Sequence, residues 1–193
     1  PGCLPGEEVE GDLVKDTLTN LRIITPSANR VKPPCAHART CGGCLMQHVL
    51  DEFVAEWKQG IVVGALAAQG VSAKFRPIAT SPARSRRRAT LSARKTKGGV
   101  QMGFHARASD TLVAVPNCQL LHPDLIAAFP ALEMLVKLGG SRTVEVQLTV
   151  TRSLAGADVA VTGGKPLDAA LQMEMARLCE AHKIARLTWN GET

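Results

Sequence analysis

Tyrosine is absent from the 193-residue chain, and four Phe with two Trp bring the aromatic share to only 3%. Ring platforms on which nucleic-acid bases could stack are therefore scarce. Long apolar runs are lacking too. None approaches the roughly 20 residues that cross a bilayer, which argues against a membrane partner. The opening PGCLPGEEVEG has no charged-then-apolar order of a secretory signal, so the expected location is the cytoplasm. Also missing are a G-x-G-x-x-G that opens a helix after a strand, a P-loop and a G-x-S-x-G elbow. No nucleotide or acyl-transfer site can be drawn from motifs. No cysteine outside the ligand candidates discussed below comes with a matched base, which leaves no nucleophilic centre and no catalytic residue to name.

Acidic side chains are absent from a long interior stretch. Between Trp57 and Ser109 there is no Asp or Glu, yet there are eleven basic residues, among them Arg86, Arg87, Arg88, Lys95 and Lys97. A one-sign segment of this length generates a field that attracts phosphates and weakens as salt rises. These five residues are the candidate RNA or DNA backbone contacts; the alternative is a solvated face balanced by acids elsewhere, such as Glu7, Glu8 and Glu10. The whole chain carries a formal charge of +6 and a pI near 9.2, in the same direction. With 45% hydrophobic and 21% charged residues it has the composition of a globular protein of one or two domains.

Alternation around Val9, Leu13, Leu18, Leu21 and Ile23 predicts two or three short strands, too few to close a barrel. Pro26, Pro33, Pro34 and Gly42-Gly43 make residues 25–44 a loop. Apolar residues at intervals of three and four predict a helix over 51–69, with Asp51 as a candidate cap. Ala89, Leu91 and Ala93, then Val100, Met102 and Phe104, predict a hairpin whose tip is Lys95-Thr96-Lys97-Gly98-Gly99, followed by a strand over 111–115. Phe104 is expected in the core, with base stacking as the alternative. A helix is expected over 122–138, with Pro123 in its first turn and Pro130 interrupting it. Strands over 142–151 and 157–162, a helix over 167–182 and a strand over 184–189 complete a β-β-α-β unit appended to a β-rich middle. The class is α+β.

Three of the six cysteines fall in CAHARTCGGC, as Cys35, Cys41 and Cys44. Without an export signal such clustering points to a metal site more than to disulfides. The two-residue spacing of Cys41 and Cys44 lets one tight turn, eased by Gly42 and Gly43, aim both sulfurs at one point. Cys118, following Pro116 at the mouth of a predicted strand, is the best fourth ligand; Cys179 is expected to be a buried structural thiol. Spacing alone leaves an iron–sulfur cluster, zinc and no metal all open. Any of His37, His48, His105, His122 and His182 could substitute as a ligand, although a lone histidine is more often an ordinary polar residue.

The segments C-A-H-A-R-T-C-G-G-C-L-M-Q-H, S-R-R-R-A-T-L-S-A-R, G-V-Q-M-G-F-H and V-P-N-C-Q-L-L-H-P, in that order, resemble the bacterial RNA uracil-5 methyltransferases that carry an iron–sulfur cluster and act on 23S ribosomal RNA. The resemblance implies that residues 1–27 are the C-terminal part of a TRAM domain, an OB-like RNA-binding barrel. It implies that residues 28–193 are the central cluster-bearing domain. Cys35, Cys41, Cys44 and Cys118 would hold a structural 4Fe–4S cluster, with zinc as the alternative, and Gln47 and His48 would stand in its surroundings. The family's S-adenosylmethionine domain, its cysteine that adds to uracil C6 and its proton-removing carboxylate have no counterpart in these residues. The expectation is therefore the RNA-recognition portion of a methyltransferase, itself inactive. A zinc- or cluster-containing RNA-binding adaptor is the rival reading.

Overall fold

A computed structural model describes residues 2–193. The chain falls into two units, Pro1–Ala38 with Cys44–Thr80 and Arg39–Gly43 with Ser81–Thr193.

In the first unit the alternating N-terminal residues form an antiparallel hairpin of β1 (Glu8–Val14) and β2 (Thr17–Thr25). Its ladder slips beside Gly11, where an added Cβ would lie 2.6 Å from the Thr19 carbonyl oxygen, so only glycine fits the irregularity. The two strands stand as their own sheet and do not close a barrel. Helix α1 (Asp51–Ala67) begins where expected, but Asp51 does not cap it: Leu50 occupies the cap position, without a side-chain bond. Asp51 and Glu52 lie in the first turn, where negative charge complements the helix dipole. No residue of α1 is buried.

A paired charge ties down the start of this unit. Glu7 has no exposed side-chain surface; it pairs with Arg30 and accepts from the Leu4 amide at 2.7 Å and the Ser27 amide at 3.1 Å. The Arg30 guanidinium, the main cause, outweighs the cost of burial and holds the Glu7 carboxyl down at about 2.

In the second unit six strands form one mixed sheet in the order β5-β4-β3-β6-β7-β8. They are β3 (Arg88–Thr96), β4 (Gly99–His105), β5 (Leu112–Val113), β6 (Val146–Ser153), β7 (Gly156–Thr162) and β8 (Ile184–Trp189). Only β7 and β8 run parallel, joined through helix α4 (Ala169–Ala181), as a parallel pair requires a crossover. The β-β-α-β segment is therefore not an appendage. Its β6 pairs with β3 over six residue pairs, continuing the sheet begun by the basic hairpin.

The stretch read as one helix is two, α2 (Pro123–Ala127) and α3 (Phe129–Gly139), parted at Ala128. Pro130 sits in the first turn of α3, where its missing N–H costs nothing. Leu91, Leu148, Val150 and Val159 of the sheet share one core with Leu125, Leu132, Leu135 and Met175 of the helices. Each such side chain contributes roughly 1.5–3 kcal/mol on burial. Trp189 closes this core. Cβ atoms added at Gly139 or Gly164 would fall within 2.3 Å and 2.1 Å of its ring, and its Nε1 donates to the Lys165 carbonyl at 2.8 Å. Among the described residues no helix is long and apolar enough to cross a membrane.

Because the Glu7 carboxyl is lowered in the folded chain from 4.5 to about 2, its stabilisation is complete above pH 4.5 and fades as pH falls toward 2. Thermal melts followed by circular dichroism should show the wild type losing more stability than Glu7→Gln across that window, so that the two curves converge at the acid end.

Candidate metal and nucleic-acid sites

The cysteine loop meets the sheet at the end of β4. Cys41 bridges Ala106, and the Gly42 amide donates to the His105 carbonyl at 2.9 Å. The two glycines have different reasons. A Cβ at Gly42 would stand 2.8 Å from the His105 oxygen, a backbone atom that cannot yield, so Gly42 permits the close approach. A Cβ at Gly43 would make ordinary contacts at 3.5 Å with Cys41 Sγ and the Phe104 ring. The Gly43 amide donates to Cys41 Sγ at 3.4 Å, a polarity that suits a thiolate. Phe104 packs against the core beneath this loop, which settles its two readings in favour of packing.

Cys118 is half-buried and also packs against the core of the second unit. Its loop is fastened to the arginine segment by backbone bonds: Arg84 N–H to Gln119 O at 2.9 Å, Arg86 N–H to Leu120 O at 3.1 Å, and His122 N–H to Arg86 O at 2.9 Å. Cys35 and Cys44 belong to the other unit, so the four predicted ligands divide two and two. Among the described residues no disulfide forms, and no group of three or more His, Cys, Asp or Glu assembles a metal site. The donor chemistry nevertheless fits a soft-metal group: four thiols, one already receiving an amide N–H. Gln47, three residues past Cys44, adds a buried Oε1 with no hydrogen-bond partner. Cys3 is exposed; Cys179, expected to be buried, is half-buried, and what burial it has pushes its thiol up.

His105 and His122 are held by structural partners. His105 Nε2 lies 3.0 Å from Glu145 Oε1, and His122 Nδ1 accepts from the Asp124 amide at 3.2 Å, capping α2. His182 terminates α4. Burial pushes the Glu145 carboxyl up, but hydrogen bonds from Ser92 and His105, with the charges of His105 and Arg94, overcome it and leave the group below its ordinary value.

The basic candidates do not share one face. Arg86, Arg87 and Arg88 are exposed at the entrance to β3, and Lys97 is exposed in the hairpin turn. Lys95 points the other way: strand alternation puts it on the helix side, where its Nζ donates to the Lys137 carbonyl at 2.6 Å in the last turn of α3. A cation there satisfies an orphan carbonyl and complements the helix dipole. The sequence reading left Arg94 out. It is exposed, shares the parity of Arg88 and reaches Gln101 Oε1 at 3.4 Å. Period-two counting from Arg88 would have found it.

No family model matches the chain. It is similar along its whole length to a protein of Brucella suis named an uncharacterized RNA methyltransferase, 32% identical over 192 residues that make up 46% of that protein. A protein of Caulobacter vibrioides with the same description is 36% identical over 204 residues, 100% of this chain and 48% of that one. The 23S rRNA (uracil(1939)-C(5))-methyltransferase RlmD of Aromatoleum aromaticum is 36% identical over 148 residues, 70% of this chain and 34% of its own. The chain thus spans about half the length of the curated relatives it matches.

The glycine geometry separates two neighbouring substitutions. Gly42→Ala should cost ~1–3 kcal/mol, since a backbone must shift to relieve the overlap, whereas Gly43→Ala should cost under about 1 kcal/mol. Urea unfolding of the two variants measures the difference.

Proposed function

We propose that this chain, a relative of proteins named RNA methyltransferases throughout its length, supplies the RNA-recognition and iron–sulfur portion of an S-adenosylmethionine-dependent RNA uracil-5 methyltransferase acting on ribosomal RNA. The observation that carries the proposal is the match to RlmD over 70% of the chain, beside the cysteine loop and the basic hairpin that this chain carries. Residues 1–27 are read as part of a TRAM-like barrel, to which the antiparallel β1–β2 hairpin with its Gly11 irregularity would contribute. Residues 28–193 are read as the central domain.

Cys35, Cys41, Cys44 and Cys118 would hold a 4Fe–4S cluster, a structural group whose four corners are all taken by thiolates. Zinc on the same thiolates is the alternative. The Gly43 amide is already turned to one of these sulfurs. Exchanging the Gln47 amide oxygen and nitrogen, which have nearly the same shape, would turn the buried unpartnered atom into a donor able to serve another sulfur. S-adenosylmethionine would supply the methyl group to the whole enzyme. Within these residues the work is binding: Arg86, Arg87, Arg88 and Lys97 meet phosphates, while Lys95 secures the end of α3 behind them.

Two measurements test the reading. Replacing Arg86, Arg87 and Arg88 together by Ala should weaken binding to ribosomal RNA segments about 10–100-fold and flatten the slope of log K against log salt by about 2. Unchanged binding would remove the segment from the interface. Cys41→Ser and Cys118→Ser should each abolish stoichiometric iron and sulfide in chain purified without oxygen, and full retention in either would overturn the ligand assignment.

A further inference from the structure

Within the second unit the helices α2, α3 and α4 lie on one side of the six-stranded sheet. Strand alternation sends Leu91, Leu148 and Val150 into the helix-covered core. The opposite parity carries Arg88, Thr90 and Arg94 on β3 and Gln147, Thr149 and Thr151 on β6, exposed or half-buried, with Ser92 buried among them. Antiparallel sheets commonly leave one face to water, with polar residues outward. Here the face is a field of hydroxyls and amides with a small positive surplus.

Its carboxylates are already engaged. Asp158 on β7 accepts from Arg186 of β8 at 2.5 Å, and Glu145, just before β6, is held by His105 and Ser92. Arg88, Arg94 and Arg186 outnumber these two acids, and Arg86 and Arg87 lie in the adjoining segment. The Thr90 and Thr149 hydroxyls face each other across the strand pair at 2.9 Å. One donates to the other, which leaves the pair one further donor and several acceptor lone pairs for an outside group. A group that both donates and accepts, such as another hydroxyl, matches that remainder. Neither Phe nor Trp of the sheet belongs to this face, since Phe104 and Trp189 pack in the core, and the His105 imidazole is paired with Glu145.

We infer that the open face of β3, β6 and β7 seats single-stranded RNA by its sugar–phosphate backbone, with Thr90, Thr149 and Gln147 reading ribose 2′-hydroxyls and Arg88 and Arg94 neutralising phosphates. The inference rests on the RNA-binding reading above and adds to it a location and a chemical selectivity. With no Phe, Tyr or Trp to stack on, the face does not discriminate bases, and the 2′-hydroxyl is what distinguishes RNA from DNA there.

The test compares fluorescence anisotropy of a 20-nucleotide single-stranded RNA and the DNA of the same sequence, titrated with the whole chain. The wild type should prefer the RNA about tenfold, the worth of two or three hydrogen bonds. Thr90→Val with Thr149→Val keeps side-chain shape and strand propensity, and should bring the ratio near one with an unchanged salt slope. Arg94→Gln should weaken both ligands and flatten the slope by about one while sparing the ratio. Gln147→Ala, at an exposed position, gives an independent reading of the ratio should the double variant melt early. An RNA preference that survives the valine and alanine changes, or is absent from the wild type, overturns the proposed seat. If the triple arginine variant still loses affinity in that case, the RNA-binding reading stands without it; if the wild type binds neither strand, both fall.

Discussion

The register between β3 and β6 decides what every side chain of the larger unit can touch. Arg88 stands opposite Thr151, Leu91 opposite Leu148 and Ala93 opposite Val146, so the small and apolar residues of both strands fall on one side together. A slip of β3 by a single residue would send Leu91 to water and bring Arg94 against the helices, and a slip of β6 would do the same with Leu148 and Gln147. The loss of apolar burial, several kcal/mol for these leucines and valines alone, makes that alternative inaccessible. From this one alignment follow the reach of Lys95 to the carbonyl end of α3, the pairing of the Thr90 and Thr149 hydroxyls, and the delivery of the β4 end to the cysteine loop.

Much of this was legible locally. The alternation of Ala89, Leu91 and Ala93 against Thr90, Ser92 and Arg94 marked the strand and its two faces. The run Lys95–Gly99 marked the turn, though Lys95, Thr96 and Gly99 belong to the strands, and Pro123 marked a helix start, while Pro130, expected to interrupt that helix, lies in the first turn of a second one. What could not be read is nonlocal. Nothing in residues 88–96 announces that their partner lies near residue 150, so the β-β-α-β segment looked like an addition rather than the other half of the same sheet. The β6 boundary was missed by four residues for a local reason. The Ser141 hydroxyl accepts from the Thr143 amide at 3.1 Å and the Val144 amide at 3.4 Å, a side-chain turn that holds the chain out of the ladder until Val146. Asp51 was misjudged as a cap because a carboxylate in the first turn and one at the cap look alike in sequence and differ only in backbone angles.

The candidate metal site was legible as composition and not as assembly. Cysteine spacing within CAHARTCGGC gives the donor type and the turn, and the strand mouth after Pro116 gives a direction for Cys118. It does not give the division by which Cys41 and Cys118 sit in the unit built on the large sheet and Cys35 and Cys44 in the other. That division arises because Gly42 can approach the His105 carbonyl more closely than any residue with a Cβ, drawing a five-residue piece of the loop, Arg39–Gly43, onto β4.

The acid-free segment also shows why counting hydrogen bonds and counting charges lead to different conclusions. Arg84 donates to the Gln119 amide oxygen, Arg94 to the Gln101 amide oxygen, and Lys95 to the Lys137 carbonyl. Each of these partners is neutral. They satisfy N–H donors and fix the direction of the side chains, but they cancel none of the positive charge. Had the same donors met carboxylates, the field of the segment would have been extinguished at the surface where it arises. With amide and carbonyl acceptors the cations are ordered at little entropic cost to later binding, and, apart from the part of Arg94's field that acts on Glu145, their potential remains available to a polyanion. The lack of Asp and Glu from Trp57 to Ser109 removes carboxylates from the segment itself, and the acceptors that Arg84 and Lys95 find beyond it, on Gln119 and Lys137, are neutral too, so these contacts order the side chains without discharging them.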